Sequence, residues 1–282
     1  MAKTGSGHAT SGTAPGGTPG RAYDRPVSET RPAPSAKVAL ITGGSRGIGA
    51  ATAVLLAQQG WDVAVTYQHD FHAANAVLKR CQDQGRQAIA VQADVAEEAD
   101  ILKVFQSVDE GLGPITGLVN NAGIVAAKAR VDEYSADRVH RLLAVNVLGS
   151  ILCAREAVKR MSSVHLGSGG AIVNVSSAAA RLGSPGEYVD YAASKAAIDT
   201  FTLGLAREVA TEGIRVNAVR PGLISTEIHA SGGQPDRVER FRELIPMRRG
   251  GEAGEVAEAI AWLLSDAASY VTGAILDVSG GR

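Results

Sequence analysis

In the stretch GEYVDYAASK, residues 186–195, Tyr191 and Lys195 stand four positions apart. On a helix such residues share one face, a single turn apart. A free tyrosine titrates at about 10, and a neighbouring cation favours its phenolate; lowering that value by about 3 units takes roughly 4 kcal/mol of differential stabilisation. With that shift Tyr191 becomes a proton donor or acceptor near neutral pH, and Lys195 is the charge that tunes it. Tyr188 falls on roughly the same face but two turns from Lys195, about 10 Å along the axis. The pattern alone equally suits an exposed aromatic beside an exposed lysine, so the surrounding elements must decide.

Those elements sit in a chain of 282 residues with 45% hydrophobic and 20% charged residues, ordinary for a globular protein. The net charge of −1 offers no electrostatic footprint for nucleic acid and no polybasic membrane anchor, and an aromatic share of 4% supplies few stacking platforms. Two cysteines, Cys81 and Cys153, have neither disulfide-framework nor metal spacing, and the six histidines have no ligand spacing; no metal is expected. The cysteine usage fits a reducing compartment, and the expected location is cytoplasmic. No apolar run reaches membrane-spanning length, and the N-terminus lacks the apolar stretch of a secretory signal.

Residues 1–35 are rich in Gly, Pro, Ser, Thr and Ala and read as a disordered tail, because they hold too little apolar surface to offset ordering entropy. From residue 36 the character changes. Apolar strand-like runs at 37–42, 62–67, 87–95, 117–123, 170–177, 214–222 and 274–281 alternate with helical patterns, among them 135–163, 187–212 and 253–265. Continuous apolar strands between helices predict an α/β fold: one doubly wound Rossmann domain over 36–282, a parallel sheet of about seven strands covered on both faces.

Between the first strand and first helix lies TGGSRGIG, residues 42–49, with Gly43, Gly47 and Gly49. A glycine turn followed by a helix N-terminus lets backbone approach a pyrophosphate and offers it free N–H groups. The second strand ends in Tyr67, where an acid that binds the ribose hydroxyl is usual, and Arg46 is available for a 2′-phosphate. NADP(H) is therefore favoured, with NAD(H) as the alternative.

In order along the chain, TGGSRGIG (42–49), NNAG (120–123), VNV (145–147), SS (176–177), YAASK (191–195) and RPG (220–222) resemble the short-chain dehydrogenase/reductase family across 36–282. The resemblance implies an oxidoreductase in which Tyr191 is the general acid or base and Lys195 tunes it and binds the nicotinamide ribose. It further implies that Ser177 holds the substrate oxygen and that Asn146 holds a water of the proton relay. Ser177 is preferred to Ser176 because it ends the strand at its carboxyl edge. The resemblance also implies cofactor contacts from Gly43, Ser45, Arg46, Gly47, Ile48, Gly49 and Tyr67, and from Asp94 and Val95 at the adenine. Asn121, Ala122 and Gly123 fall on the ribose side, and Pro221, Gly222, Ile224 and Thr226 near the nicotinamide and phosphates. Asn120 reads equally as a ligand contact or a structural tie.

Substrate choice in such enzymes is set by the segment after the sixth strand, here 223–251, with Gly232, Gly233, Gly250 and Gly251 as candidate hinges. Its arginines, Arg237, Arg240, Arg242, Arg248 and Arg249, suit either an anionic substrate or a solvated helix paired with Glu239 and Glu243. Sub-group resemblances point to 3-oxoacyl-[acyl-carrier-protein] reductases and glucose 1-dehydrogenase-like enzymes. Glu208 and Glu212 against Arg207 weaken the former, because an acidic carrier wants a basic rim. A nucleotide-binding scaffold without catalysis is the non-enzymatic alternative. The resemblance implies a small-molecule carbonyl or alcohol substrate and a homo-oligomer, tetramer or dimer, that pairs the long helices.

Overall fold

The computed structural model describes residues 37–282 and the isolated residues 1, 2 and 5, so the expected tail otherwise lies outside the described residues. Among the described residues, seven strands form one sheet: β1 (Val38–Ile41), β2 (Asp62–Tyr67), β3 (Ala88–Gln92), β4 (Gly117–Asn120), β5 (Gly170–Val175), β6 (Ile214–Pro221) and β7 (Ile275–Val278). Their order is β3-β2-β1-β4-β5-β6-β7, and every pairing is parallel. The chain runs outward in both directions from β1 and β4. That reversal opens a crevice beyond the carboxyl ends of these two strands, where doubly wound sheets bind ligands.

Among the described residues, ten α-helices complete the fold: α1 (Gly47–Gln58), α2 (Phe71–Gln82), α3 (Glu98–Gly111), α4 (Ala136–Leu143), α5 (Gly149–Met161), α6 (Ala179–Leu182), α7 (Val189–Val209), α8 (Ile228–Ser231), α9 (Arg237–Phe241) and α10 (Ala253–Leu264). Side chains alternate across a strand, and β1 shows the outcome. Ala39 and Ile41 enter a core with Leu56 of α1, Val77 of α2 and Ile260 of α10. Val38 and Leu40 enter the opposite core with Phe105 of α3, Met161 of α5 and Val209 of α7. Both cysteines are free and buried, and burial pushes the thiol of Cys81 up to about 11 and that of Cys153 up to about 12. No helix among the described residues is long and apolar enough to cross a membrane.

Three departures from the sequence reading bear on the site. The helical stretch 135–163 is interrupted by a wide turn of π-helix, Ala144–Leu148, which holds Asn146. Such turns recur at functional sites because they re-aim a side chain out of the regular spiral. β5 ends at Val175, so Ser176 and Ser177 lie beyond the strand and strand alternation does not govern them. Finally, α7 begins at Val189; Tyr188 precedes it with φ −146° and ψ 50°, so Tyr188 is not on the face shared by Tyr191 and Lys195.

Candidate active site

The glycine turn leaves β1 at Thr42 and is held from two sides. Thr66 Oγ1 of β2 accepts from Gly43 N at 2.9 Å, and Thr42 Oγ1 accepts from Asn121 N and Ala122 N at 3.0 Å each. Gly43 has φ +63°, and a Cβ on it would stand 3.0 Å from Ala122 Cα. No side chain caps the start of α1 and its first turn holds no acid, which leaves its leading N–H groups for an anion. Gly43, Ser45, Arg46, Gly47 and Ile48 all line one cleft. Gly49 does not. A Cβ there would lie 2.5 Å from Asn121 Nδ2, so its absence serves close packing beneath the turn.

Arg46 is exposed and makes no ion pair among the described residues. Tyr67 lines the cleft beside it. Asp70, the acid nearest the end of β2, caps α2 by accepting from Ala73 N at 2.8 Å. Asp94 and Val95 line the cleft after β3. Arg141, which the sequence reading did not single out, lines it too and pairs with Asp94 Oδ2 at 2.8 Å. Burial pushes the Asp94 carboxyl up, but the Ala96 N–H, Arg141 and Gln68 outweigh it and hold Asp94 below the usual carboxylate range.

Beyond β4, Asn121, Ala122 and Gly123 line the cleft. Asn121 Nδ2 also donates to Thr42 O and Gly43 O, at 2.9 and 3.0 Å, so it ties the two strand ends together. Asn120 faces away: its Nδ2 donates to Ser150 O and Asn174 Oδ1 in the buried interior, which settles it as a structural tie.

Tyr191, Lys195 and Ser177 meet at the far end of the cleft. Lys195 is buried, with Nζ 5.7 Å from the Tyr191 ring centroid and donating to Val175 O at 2.8 Å. Burial lowers Lys195 to about 8, against the opposing pull of Asp199. Burial also raises the Tyr191 hydroxyl above its ordinary value, and the neighbouring Ser177 hydroxyl opposes that rise. Burial thus works against the lowering of Tyr191 that Lys195 is expected to supply.

Of the two serines, Ser176 Oγ donates to Lys195 O at 3.1 Å and is buried, so it fixes the helix. Ser177 lines the cleft and accepts from Ala179 N at 3.1 Å. Asn146 is fully buried and does not line the cleft. It holds the loop after β4 through Ile124 N and O, at 2.8 and 3.0 Å, and donates to Ser194 Oγ at 3.1 Å. Ser194 in turn donates to Tyr191 O at 2.7 Å. Ser194 lies inside the YAASK motif but carries no signal of its own in the sequence.

Pro221, the last residue of β6, and Gly222, Ile224 and Thr226 after it line the cleft, and the segment beyond them folds over its open end. The Tyr188 hydroxyl, buried, donates to Gly232 O at 3.3 Å and accepts from Gln234 Nε2. Gly250 and Gly251 are not loose hinges. Ser225 N donates to Gly251 O and Gly251 N to Leu223 O, at 2.9 Å each, and a Cβ on Gly250 would lie 2.3 Å from Val238 Cγ1. His229 also lines the cleft, with Nε2 2.9 Å from Ile224 O.

Residues 43–282 match the family model described as enoyl-(acyl carrier protein) reductase. The uncharacterized oxidoreductase YgfF of Escherichia coli (strain K12) is 59% identical, over 87% of this chain and 99% of its own. The chain is a short-chain dehydrogenase/reductase. Two other relatives of this enzyme are glucose 1-dehydrogenase 2 of Bacillus subtilis (strain 168), 37% identical over 87% of this chain and 94% of its own, and the 3-oxoacyl-[acyl-carrier-protein] reductase FabG of Staphylococcus epidermidis, 36% identical over 87% and 98%. Among solved structures, the blue fluorescent protein from a metagenomic library in complex with NADPH superposes with a TM-score of 0.79 at 37% identity, over 87% of this chain and 97% of that one.

The cleft of this short-chain dehydrogenase/reductase fits a nicotinamide dinucleotide on its own geometry. The uncapped helix start and the close-packed Gly43 suit a pyrophosphate at one end, and the Tyr191, Ser177 and Lys195 cluster suits a reacting ring at the other.

Proposed function

We propose that this enzyme is an NADP(H)-dependent oxidoreductase that interconverts a carbonyl compound and the corresponding secondary alcohol. The observation that supports it is one continuous cleft shared by the glycine turn, Arg46 and the Tyr191, Ser177 and Lys195 cluster. The phosphate turn would hold the cofactor's pyrophosphate, Arg46 its 2′-phosphate, and Lys195 its nicotinamide ribose. NADPH, when bound, supplies a hydride to the carbonyl carbon.

The protein's own residues manage the oxygen. Ser177 donates a hydrogen bond to it, which stabilises the negative charge that develops there. Tyr191 transfers its phenolic proton to that oxygen and yields the alcohol; in the reverse direction it accepts the proton. Burial, which raises the Tyr191 hydroxyl, favours the proton-donor form that the reductive direction needs. Once water is excluded from the cleft, the Lys195 charge acts on the Tyr191 phenolate through a less screened path. Asn146 belongs to the route by which a proton returns through Lys195 to Tyr191. A Cβ on Gly123 would sit 3.4 Å from both Asn146 Oδ1 and Lys195 Nζ, so glycine leaves the space between them open.

Relatives named for a sugar and for an acyl-carrier substrate match almost equally well, so similarity does not choose between those substrates. We take the protein to be cytoplasmic, consistent with its two free buried thiols, and a homo-oligomer, consistent with exposed Leu148 before α5 and Leu203 on α7. The test is a panel of ketones, aldehydes and secondary alcohols with NADPH and NADH, read by reduced-cofactor absorbance. The reading expects NADPH-linked turnover of a carbonyl; no turnover across the panel, with folded protein, would overturn it.

A further inference from the structure

The open end of the cleft carries two cations that the chemistry above does not use: Arg237, on α9, and Arg282 both line it. The other arginines of the segment are occupied locally. Arg242 and Arg248 pair with Glu239 and Glu243, Arg249 with Glu255, and Arg240 with Asp236 and Gln234. They form the solvated, ion-paired surface that their spacing suggests. Arg237 instead turns inward, with its side chain 12% exposed. Its guanidinium lies 5.2 Å from the Tyr188 ring centroid and 5.0 Å from that of Phe241. Nη2 pairs with Glu187 Oε2 at 2.5 Å, while Nη1 is buried without a partner among the described residues. Leaving a charged donor buried and unsatisfied is costly, and such groups in native structures call for an explanation.

Arg282 faces the same ring, 6.0 Å from the Phe241 centroid. Burial lowers its pKa, the charge of Arg237 lowers it further, and Glu187 opposes them. The charges around the pair are unbalanced. Glu187 is shared between Arg237 and Lys128, the latter at 3.6 Å. Glu227 also lines the cleft but stands at the other end, its Oε2 3.7 Å from where a Cβ on Gly47 would be. The main-chain oxygen of Arg282 is taken by Arg181 Nη2 and Ser279 Oγ, at 2.9 and 2.8 Å. His229 is held below its ordinary value by burial, with Arg237 adding to the shift.

We propose that Arg237 and Arg282 form a subsite for an anionic group, a carboxylate or a phosphate ester, borne by the carbonyl substrate. An anion at the cleft wall between Arg237 and Arg282 would relieve their repulsion, through charge-assisted bonds that arginine makes well. The inference rests on the proposed function and narrows it to small oxo acids or oxo phosphates over neutral sugars. The redox step is unchanged: the carbonyl carbon gains the hydride, its oxygen gains the Tyr191 proton, and the anion stays intact.

The test compares matched pairs on the wild-type enzyme with NADPH: acetoacetate against methyl acetoacetate, and dihydroxyacetone phosphate against dihydroxyacetone. The expected kcat/KM favours the anionic member of at least one pair by about tenfold or more, and which pair it is separates carboxylate from phosphate. Arg237→Gln and Arg282→Gln should each collapse that ratio, whereas Arg237→Lys should keep part of it. Fluorescence titration of the NADPH complex with succinate, against succinamide, supplies a readout that needs no turnover; succinate should bind more tightly in wild type and lose that advantage in both glutamine variants. Neutral members turned over as well as anionic ones, with no succinate preference, would overturn the subsite and leave the proposed function standing. Absence of all carbonyl turnover would instead remove the proposed function, and the succinate titration would then decide the subsite alone.

Discussion

Lys195 aims its ammonium at Val175 O, the last carbonyl of β5, 2.8 Å away. That bond and the burial around it place a cation at the strand end where Tyr191 and Ser177 also arrive. Burial sets Lys195 at about 8, below its usual 10.5. The charge is present below that value and is lost above it. NADPH affinity should therefore be flat below pH 8 and weaken as pH rises beyond it. Fluorescence titration across pH checks this, and Lys195→Met should bind weakly with no such break. The folding contribution has the opposite sense: the folded form resists protonation, so this group's penalty is full below 8 and relieved between 8 and 10.5.

Tyr191→Phe removes only a hydroxyl. Turnover should fall by at least about a hundredfold, the lower range for a lost general acid, while NADPH still binds. Tyr188→Phe is the contrast. It loses the bonds to Gly232 O and Gln234, which hold the segment over the cleft, so its effect should appear mainly in KM. Steady-state kinetics on both variants decide; a Tyr188 variant without turnover beside an active Tyr191 variant would reverse the assignment.

Arg46 stands exposed at the phosphate turn, with no acid at Tyr67 to favour an unphosphorylated ribose. Wild type should bind NADPH more tightly than NADH, and Arg46→Ala should cut that preference by about tenfold, mainly by weakening NADPH. Equal affinities in wild type would remove the assignment.

Arg138 grips Asp190 through Nε at 2.7 Å and Nη2 at 3.3 Å, and Asp190 also accepts from Tyr191 N at 2.9 Å. Burial pushes the Asp190 carboxyl up, but Arg138 and the Tyr191 N–H prevail and hold it below the ordinary range. A depressed carboxylate contributes stability that is present above its unfolded value and lost as pH falls through the folded one. Asp190→Ala leaves the half-buried Arg138 guanidinium without its carboxylate and should cost about 1 to 3 kcal/mol. Denaturant unfolding should show the full difference at neutral pH and a smaller one below about pH 4.

Much of this was legible because a parallel sheet covered on both faces writes its strands as unbroken apolar runs; DVAVTY coincides with β2 residue for residue. Glycine turn, serine pair and tyrosine helix were legible because each is contiguous in sequence. What escaped depends on partners far along the chain. Arg141 gains meaning only from Asp94, and the helix start after Tyr188 sits beside Asp190, which Arg138 fixes from 52 residues away. The inward turn of Arg237 is set by Glu187, 50 residues earlier, which a local charge pattern cannot register.

The central pairing of β1 with β4 also limits how this chain can reach its working form. The two strands meet across 78 residues, as Val38 N to Thr116 Oγ1 shows, and the reactive crevice opens only where they lie side by side. Contacts between such distant residues form late, because a long loop must close before they reward the closure. A chain severed between β3 and β4 would hold the glycine turn on one piece and Ser177, Tyr191 and Lys195 on the other. Activity should therefore recover in refolding with the slowest phase, and recombined halves should regain it together with the rejoined sheet or not at all.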